Sequence, residues 1–198
     1  MYSLTKLPFS FEDLEPFIDT HTIGLHYLKH QASYLSSLNK ILKKYDFNYE
    51  IEDLYNHLDK INSDDLNDVI FFLGGVVNHN IYWESINPYN KELPQGKLLE
   101  KFNSKYKDID NFWEEVKKLV VNLKGSGYVF LVKTKNNGID LIATSNQDSP
   151  LLYGFIPLFT IDLWEHAYYI NYENDKLKYL ENFKTIANFK YANNIFNK

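Results

Sequence analysis

The sequence predicts an α+β protein, with a helical first half and a second half that mixes helices with three strands. Three observations lead there. From Thr20 to Lys44, apolar, aromatic and histidine residues recur at three- and four-residue intervals, the period of a helix. A second helical stretch runs from Leu66 to about Ser85. After Gly125-Ser126-Gly127 the period changes to that of strands.

The elements follow in order. Residues 1–19 read as an extended start, since Pro8 and Pro16 break helix. Asp19 or Thr20 can cap the first long helix. Residues 46–63 are less regular, with a short helix expected around Ile51–Lys60. Ser63-Asp64-Asp65 is a suitable cap for the second long helix. Gly74-Gly75 lies inside that helix, where each glycine costs ~1 kcal/mol relative to alanine, so a close backbone approach is expected there. Asn87-Pro88-Tyr89-Asn90 ends the helical half and Pro94-Gln95-Gly96 follows, which places a boundary between residues 1–88 and 89–198. Gly96–Tyr106 and Ile109–Asn122 read as two further helices, the second opening at Asp108 or Asp110. Tyr128–Thr134 and Ile139–Thr144 read as strands around the hairpin turn Lys135-Asn136-Asn137-Gly138. Ile156–Asp162 is a third strand, and one helix over Tyr179–Asn194 closes the chain.

Composition narrows the function. A chain of 198 residues can bury a sizeable core. Its net charge of −5 argues against nucleic acid as a partner, because phosphate binding needs a basic patch. With no cysteine there is no disulfide, thiolate nucleophile or iron–sulfur cluster, so any metal must be held by histidine, carboxylate, amide or water. No signal-peptide pattern and no membrane-length apolar run is visible, which makes a cytoplasmic protein the default. Aromatic residues make up 17% of the chain, an excess that could serve a site or reflect an AT-rich genome.

The run Asp162-Leu163-Trp164-Glu165-His166 holds the most chemistry. It sets a carboxylate and an imidazole four residues apart, an oxygen and a nitrogen donor suited to a transition metal. His26, His30 and Tyr34 share one face of the first helix, and His79 lies near the end of the second. Each signal alone is weak. If the two helices run antiparallel, His26 and His79 can meet the end of the third strand. Three imidazoles and a carboxylate then form a set that suits iron or manganese and leaves room for solvent.

At this point the chain resembles the iron/manganese superoxide dismutase family. The resemblance rests on Leu7-Pro8-Phe9, Leu14-Glu15-Pro16, His26-x-x-Lys29-His30-x-x-x-Tyr34 and Asn78-His79-x-x-x-Trp83. It continues through Gly125-Ser126-Gly127, Asn146-Gln147-Asp148-Ser149-Pro150 and Asp162-x-Trp164-Glu165-His166-Ala167-Tyr168-Tyr169. It implies an N-terminal long-helix hairpin followed by an α/β domain with a three-stranded antiparallel sheet. His26, His79, Asp162 and His166 would bind one manganese or iron ion per subunit, with a solvent molecule as a further ligand. Gln147 would hydrogen-bond that solvent and reach the phenol of Tyr34, while Tyr34 and His30 gate the pocket and pass protons. Trp83 and Trp164 would wall the site. Glu165 would contact His166 of the partner subunit, and Tyr169 would approach the partner's His30, in a homodimer or tetramer. The substrate would be superoxide, an anion that Lys29 could guide to the entrance.

Several positions depart from the family pattern. Gln31 stands where a second histidine is usual, Tyr128 and Phe130 where two wall tryptophans are usual, and Lys176-Leu177 where Arg-Pro is usual. Lys176 keeps the charge but loses the planar fork of arginine. The metal signals conflict: Gln147 with Gly75 opposite resembles the manganese type, whereas Thr160 resembles the iron type, and the balance favours manganese. Two other readings compete, a non-haem iron oxygenase built on two histidines and a carboxylate, and a non-catalytic metal-binding dimer of the same fold.

Overall fold

In the computed structural model, which describes residues 1–89 and 91–197, one helical run extends from Thr20 to Leu42. Asn90, expected in the turn that closes the helical half, and Lys198 lie outside the described residues. The run has three parts: α1 (Thr20–Leu25), a π-helical segment (His26–Gln31) and α2 (Ala32–Leu42). Asp19 is the N-cap, its carboxylate accepting from the Thr22 amide at 2.7 Å. The π segment departs from the regular helix that periodicity predicts; such wider turns frequently mark functional sites.

A 3₁₀ segment, Glu52–Lys60, leads to α3 (Ser63–Glu84). α3 opens earlier than Leu66, with Asn62 in the cap position, so Asp64 and Asp65 fall in its first turn, where the helix dipole favours them. α2 and α3 form the hairpin, with Leu35, Leu38 and Leu42 packed among Val69, Leu73, Val76 and Val77.

The second half begins with α4 (Gly96–Tyr106) and α5 (Ile109–Asn122), at the predicted bounds. Asp108 caps α5 by accepting from the Asn111 amide at 2.7 Å. A three-stranded antiparallel sheet follows in the order β2-β1-β3, with β1 (Gly127–Lys133) central between β2 (Ile139–Ser145) and β3 (Ile156–Asp162). The register sets Tyr128 opposite Asp162 and Phe130 opposite Thr160.

After β3 come α6 (Tyr169–Tyr172), α7 (Lys176–Ile186) and α8 (Lys190–Phe196). The single tail helix expected over Tyr179–Asn194 is therefore two helices. The break arises because backbone at 187–189 pairs elsewhere: Asn188 donates to the Ser85 carbonyl and Phe189 to the Glu92 carbonyl, each at 2.8 Å. Much of the aromatic excess packs the core, where Phe102, Phe112, Phe159, Phe183 and Phe189 cluster. Among the described residues, no helix is long and apolar enough to cross a membrane.

Candidate metal centre

Four elements deliver four donors to one buried point. His26 opens the π segment, His79 lies in the last turns of α3, and Asp162 is the final residue of β3. His166 sits in a 3₁₀ turn, Glu165–Ala167. The Trp164 amide donates to Asp162 Oδ1 at 2.8 Å, which folds the chain back and brings His166 beside the carboxylate. His26 Nε2, His166 Nε2 and His79 Nε2 stand 3.2, 3.6 and 3.7 Å from Asp162 Oδ2. The four donor atoms all lie within 4.8 Å of one another.

The donors fit a metal ion. Ligands about 2.1 Å from a common ion stand about 3.0 Å apart at a right angle and about 3.6 Å apart at 120°, close to the 3.2, 3.6 and 3.7 Å that separate the imidazoles from the carboxylate oxygen. His79 Nε2 and His166 Nε2 are buried with no hydrogen-bond partner. Such orphaned atoms in a protein interior are costly unless something binds them. The Nδ1–H of His79 donates to the Gly75 carbonyl, which fixes the tautomer and leaves the Nε2 lone pair free.

Protonation agrees. Burial pushes the His26 imidazole down to about 4, against the pull of Asp162. Burial, reinforced by His26, pushes His79 well below the usual histidine range. Burial pushes the Asp162 carboxyl up, but the facing imidazoles of His166 and His26 more than reverse it, so the group remains a carboxylate. His26 and His79 thus face the carboxylate as neutral imidazoles.

Gln147 lies beside the centre, fully buried. Its Oε1 accepts from the Tyr128 hydroxyl at 3.0 Å, its backbone carbonyl accepts from Asn78 Nδ2 at 3.1 Å, and its Nε2 has no partner. Gly74 and Gly75 explain the approach. A Cβ on Gly74 would lie 1.9 Å from the Gln147 carbonyl oxygen, and one on Gly75 would lie 2.5 Å from the Tyr34 ring. Burial pushes the Tyr34 phenol up, and the neighbouring Gln147 side chain pulls it partly back.

Two family models match this chain: the alpha-hairpin domain of iron/manganese superoxide dismutases over residues 1–87, and their C-terminal domain over residues 94–195. The chain belongs to the iron/manganese superoxide dismutase family. It is 33% identical over 197 residues to a protein of Thermus aquaticus named Superoxide dismutase [Mn], covering 98% of this chain and 97% of that one. Proteins of the same name from Listeria innocua and Buchnera aphidicola are each 34% identical, covering 98% and 100% of this chain and 97% and 99% of their own. The enzyme is thus a superoxide dismutase with a mononuclear metal site formed by His26, His79, Asp162 and His166.

The remaining expected site residues fall into two groups. His30 is half-buried and stacks on His166 at 4.1 Å between ring centroids. Tyr34 lies 5.6 Å from His79, Trp83 4.8 Å from His26, and Trp164 5.6 Å from His166. Tyr128 meets His79 edge-on, while Phe130 packs behind Tyr128. Farther out, Lys29, Glu165 and Tyr169 are exposed, and Lys176 Nζ donates to the Gly125 carbonyl.

Sequence reasoning missed three supporting residues. Gln31 is buried, accepts from Trp83 Nε1 at 2.8 Å and donates to Asn80 Oδ1 at 2.8 Å, so it anchors a wall residue. Asn78 tethers Gln147, and Tyr82 packs on His26 at 5.1 Å. Only the paired glycines gave any signal of what approaches α3. The hydroxyl of Thr160 donates to the Val129 carbonyl, so it is turned into the sheet.

Proposed function

We propose that the four donors hold one manganese ion and that Gln147, Tyr34 and His30 manage the protons of superoxide dismutation. The observation that carries this reading is the donor set itself, in which two unpartnered Nε2 atoms and a third imidazole face one carboxylate oxygen. Manganese is favoured over iron by the names of the relatives and by the supply of the amide from Gln147 in the second half of the chain. When bound, the ion supplies one-electron exchange with superoxide.

The protein's own residues do the rest. Three imidazole nitrogens that give only lone pairs, with a single carboxylate, would leave a divalent or trivalent ion net positive, which would draw an anionic substrate. Reduction of superoxide to hydrogen peroxide consumes two protons. Tyr34, held above the usual phenol range by burial, keeps its proton at neutral pH for delivery. His30, held down chiefly by burial and by His166, is uncharged there and can relay a proton toward Tyr34. Trp83, Trp164 and Tyr128, backed by Phe130, keep bulk water from the centre. Lys29 and Lys176 guide the anion, and Glu165, Tyr169 and His30 form a homodimer contact. Residues 1–88 and 89–198 serve as two units that meet at the metal.

Separate reconstitution with manganese and with iron, beside measured metal content, tests this. Superoxide removal by the manganese form supports the reading. Stoichiometric metal in both forms with no turnover would favour the non-catalytic binder. The oxygenase reading fits less well, because a third imidazole faces the carboxylate oxygen that a two-histidine site would leave free.

A further inference from the structure

His79 and Asp162 reach the centre from opposite halves of the chain, one on α3 and one on β3, so tertiary contacts set their separation. β3 is an edge strand, with β1 on one side only. A buried amide on its other edge has no strand partner and is costly unless something else accepts from it. The Thr160 amide donates to Ser85 Oγ at 2.9 Å. Ser85 directly follows the last residue of α3. Its hydroxyl donates in turn to the Ile81 carbonyl at 2.7 Å, which commits the proton to the helix and leaves a lone pair for the strand. Both residues are buried, so bulk water cannot replace either partner.

We propose that Ser85 is a positioning residue of the metal centre: its hydroxyl clasps β3 to the end of α3 and thereby sets the distance between Asp162 and His79. The two arms that run from the clasp to the donors are short and stiff. About 9 Å of helix separates Ser85 from His79, and about 7 Å of strand separates Thr160 from Asp162. Each side of the clasp is pinned a second time. The Thr160 hydroxyl donates to the Val129 carbonyl of β1 at 3.1 Å, and the Ser85 carbonyl accepts from the Asn188 amide at 2.8 Å. Apolar packing between helix and strand is non-directional and tolerates sliding, whereas the hydrogen bond fixes the register. The spacing it controls, 3.7 Å from His79 Nε2 to Asp162 Oδ2, is the longest of the three about that oxygen. His166 needs no such clasp, because the Trp164 amide already folds its segment onto Asp162.

The inference rests on the donor set and not on which ion fills it. Manganese(II) affinity, measured by competition with a chelator, and the zero-field splitting of the bound ion by electron paramagnetic resonance test it. Ser85→Ala removes the acceptor, and Ser85→Thr keeps it. Leu98→Ala is the control for lost stability alone, since it opens a cavity in α4, which packs on α5, α8 and β2. Ser85→Ala should bind manganese about tenfold more weakly, the lower end of what losing an outer-shell support costs, with an altered splitting. Ser85→Thr should recover most of the affinity and the parental splitting. Leu98→Ala should keep both while melting lower. Ser85→Cys, whose sulfur accepts weakly, should fall between Ser85→Ala and the parent, and it decides the question where Ser85→Ala does not fold. Parental affinity and splitting in Ser85→Ala would overturn the proposal and leave the donor set intact. So would an equal loss in Leu98→Ala, or a Ser85→Thr variant of parental Tm that behaves like Ser85→Ala. A parental protein that takes up neither manganese nor iron would refute the centre itself, and this role with it.

Discussion

Replacing Gly74 with alanine tests whether α3 and the Gln147 turn are as close as the structure places them. The new Cβ would stand 1.9 Å from a backbone oxygen, against a floor of 3.0 Å for real contacts, so something must move by 3.0 − 1.9 = 1.1 Å. A backbone carbonyl cannot swing aside as a side-chain tip can. Moving it also strains the Asn78 tether, now 3.1 Å long. Overpacking of this kind costs up to ~3 kcal/mol, and the helix regains ~1 kcal/mol when alanine replaces glycine. The net loss of ~2 kcal/mol lowers Tm by ~4–8 °C for a chain of this size. Calorimetry on metal-loaded protein measures it, with superoxide removal alongside. Metal content should hold, since no ligand is touched, while activity falls because Gln147 is displaced. An unchanged Tm with full activity would refute the close approach and the account of why glycine stands there.

Other expectations follow from the same geometry. His79→Ala should reduce bound metal well below one ion per chain by elemental analysis; a stoichiometric ion would contradict its place in the donor set. Removing the metal leaves His79 Nε2 and His166 Nε2 unpaired, at ~1–3 kcal/mol each, so metal-free protein should melt several degrees lower by calorimetry. In metal-free protein His26 and His79 are held below their unfolded values, so the unfolded chain binds more protons as pH falls. Its stability should therefore decline from pH ~6.5 down toward pH ~4 in denaturant titrations, and a flat profile would count against buried neutral histidines. Gln31→Leu strands the Trp83 indole N–H in the interior at ~1–3 kcal/mol, which should appear as a lower Tm; an equal Tm would mean that Gln31 does not anchor that wall.

The fold and the donors were legible where local pattern decides the outcome. Gly96–Tyr106, Ile109–Asn122 and Ile156–Asp162 read correctly because caps, periods and breakers agree within each segment. The donors read correctly because Asp162 and His166 share a short segment while His26 and His79 stand out on helices. What escaped depends on tertiary contacts. No proline or glycine marks the break at Ala187–Phe189, which exists because those amides pair with the segment after α3. No residue type announces the π turn at His26–Gln31. Gln31 looks like an ordinary helix polar residue until Trp83 is brought to it, and Asn78 gains meaning only when the Gln147 turn lies against it.

These late-appearing contacts explain why so much of the centre converges on one stretch of α3. Between Gly74 and Trp83 the helix supplies a metal donor, His79, and the carbonyl of Gly75 that sets its tautomer. The bare face of Gly75 receives the Tyr34 ring, the bare face of Gly74 receives the Gln147 carbonyl, and Asn78 holds that residue in place. Trp83 then closes the wall on His26. Donor, amide and phenol are therefore referenced to the same few turns of a rigid element, so a shift of α3 moves them together and changes their mutual distances little. Preorganisation of this kind suits a reaction in which an electron and protons must meet the same substrate. It also explains the glycines: they lower the intrinsic helix propensity of α3, and in return two groups from different parts of the chain can lie directly on its backbone.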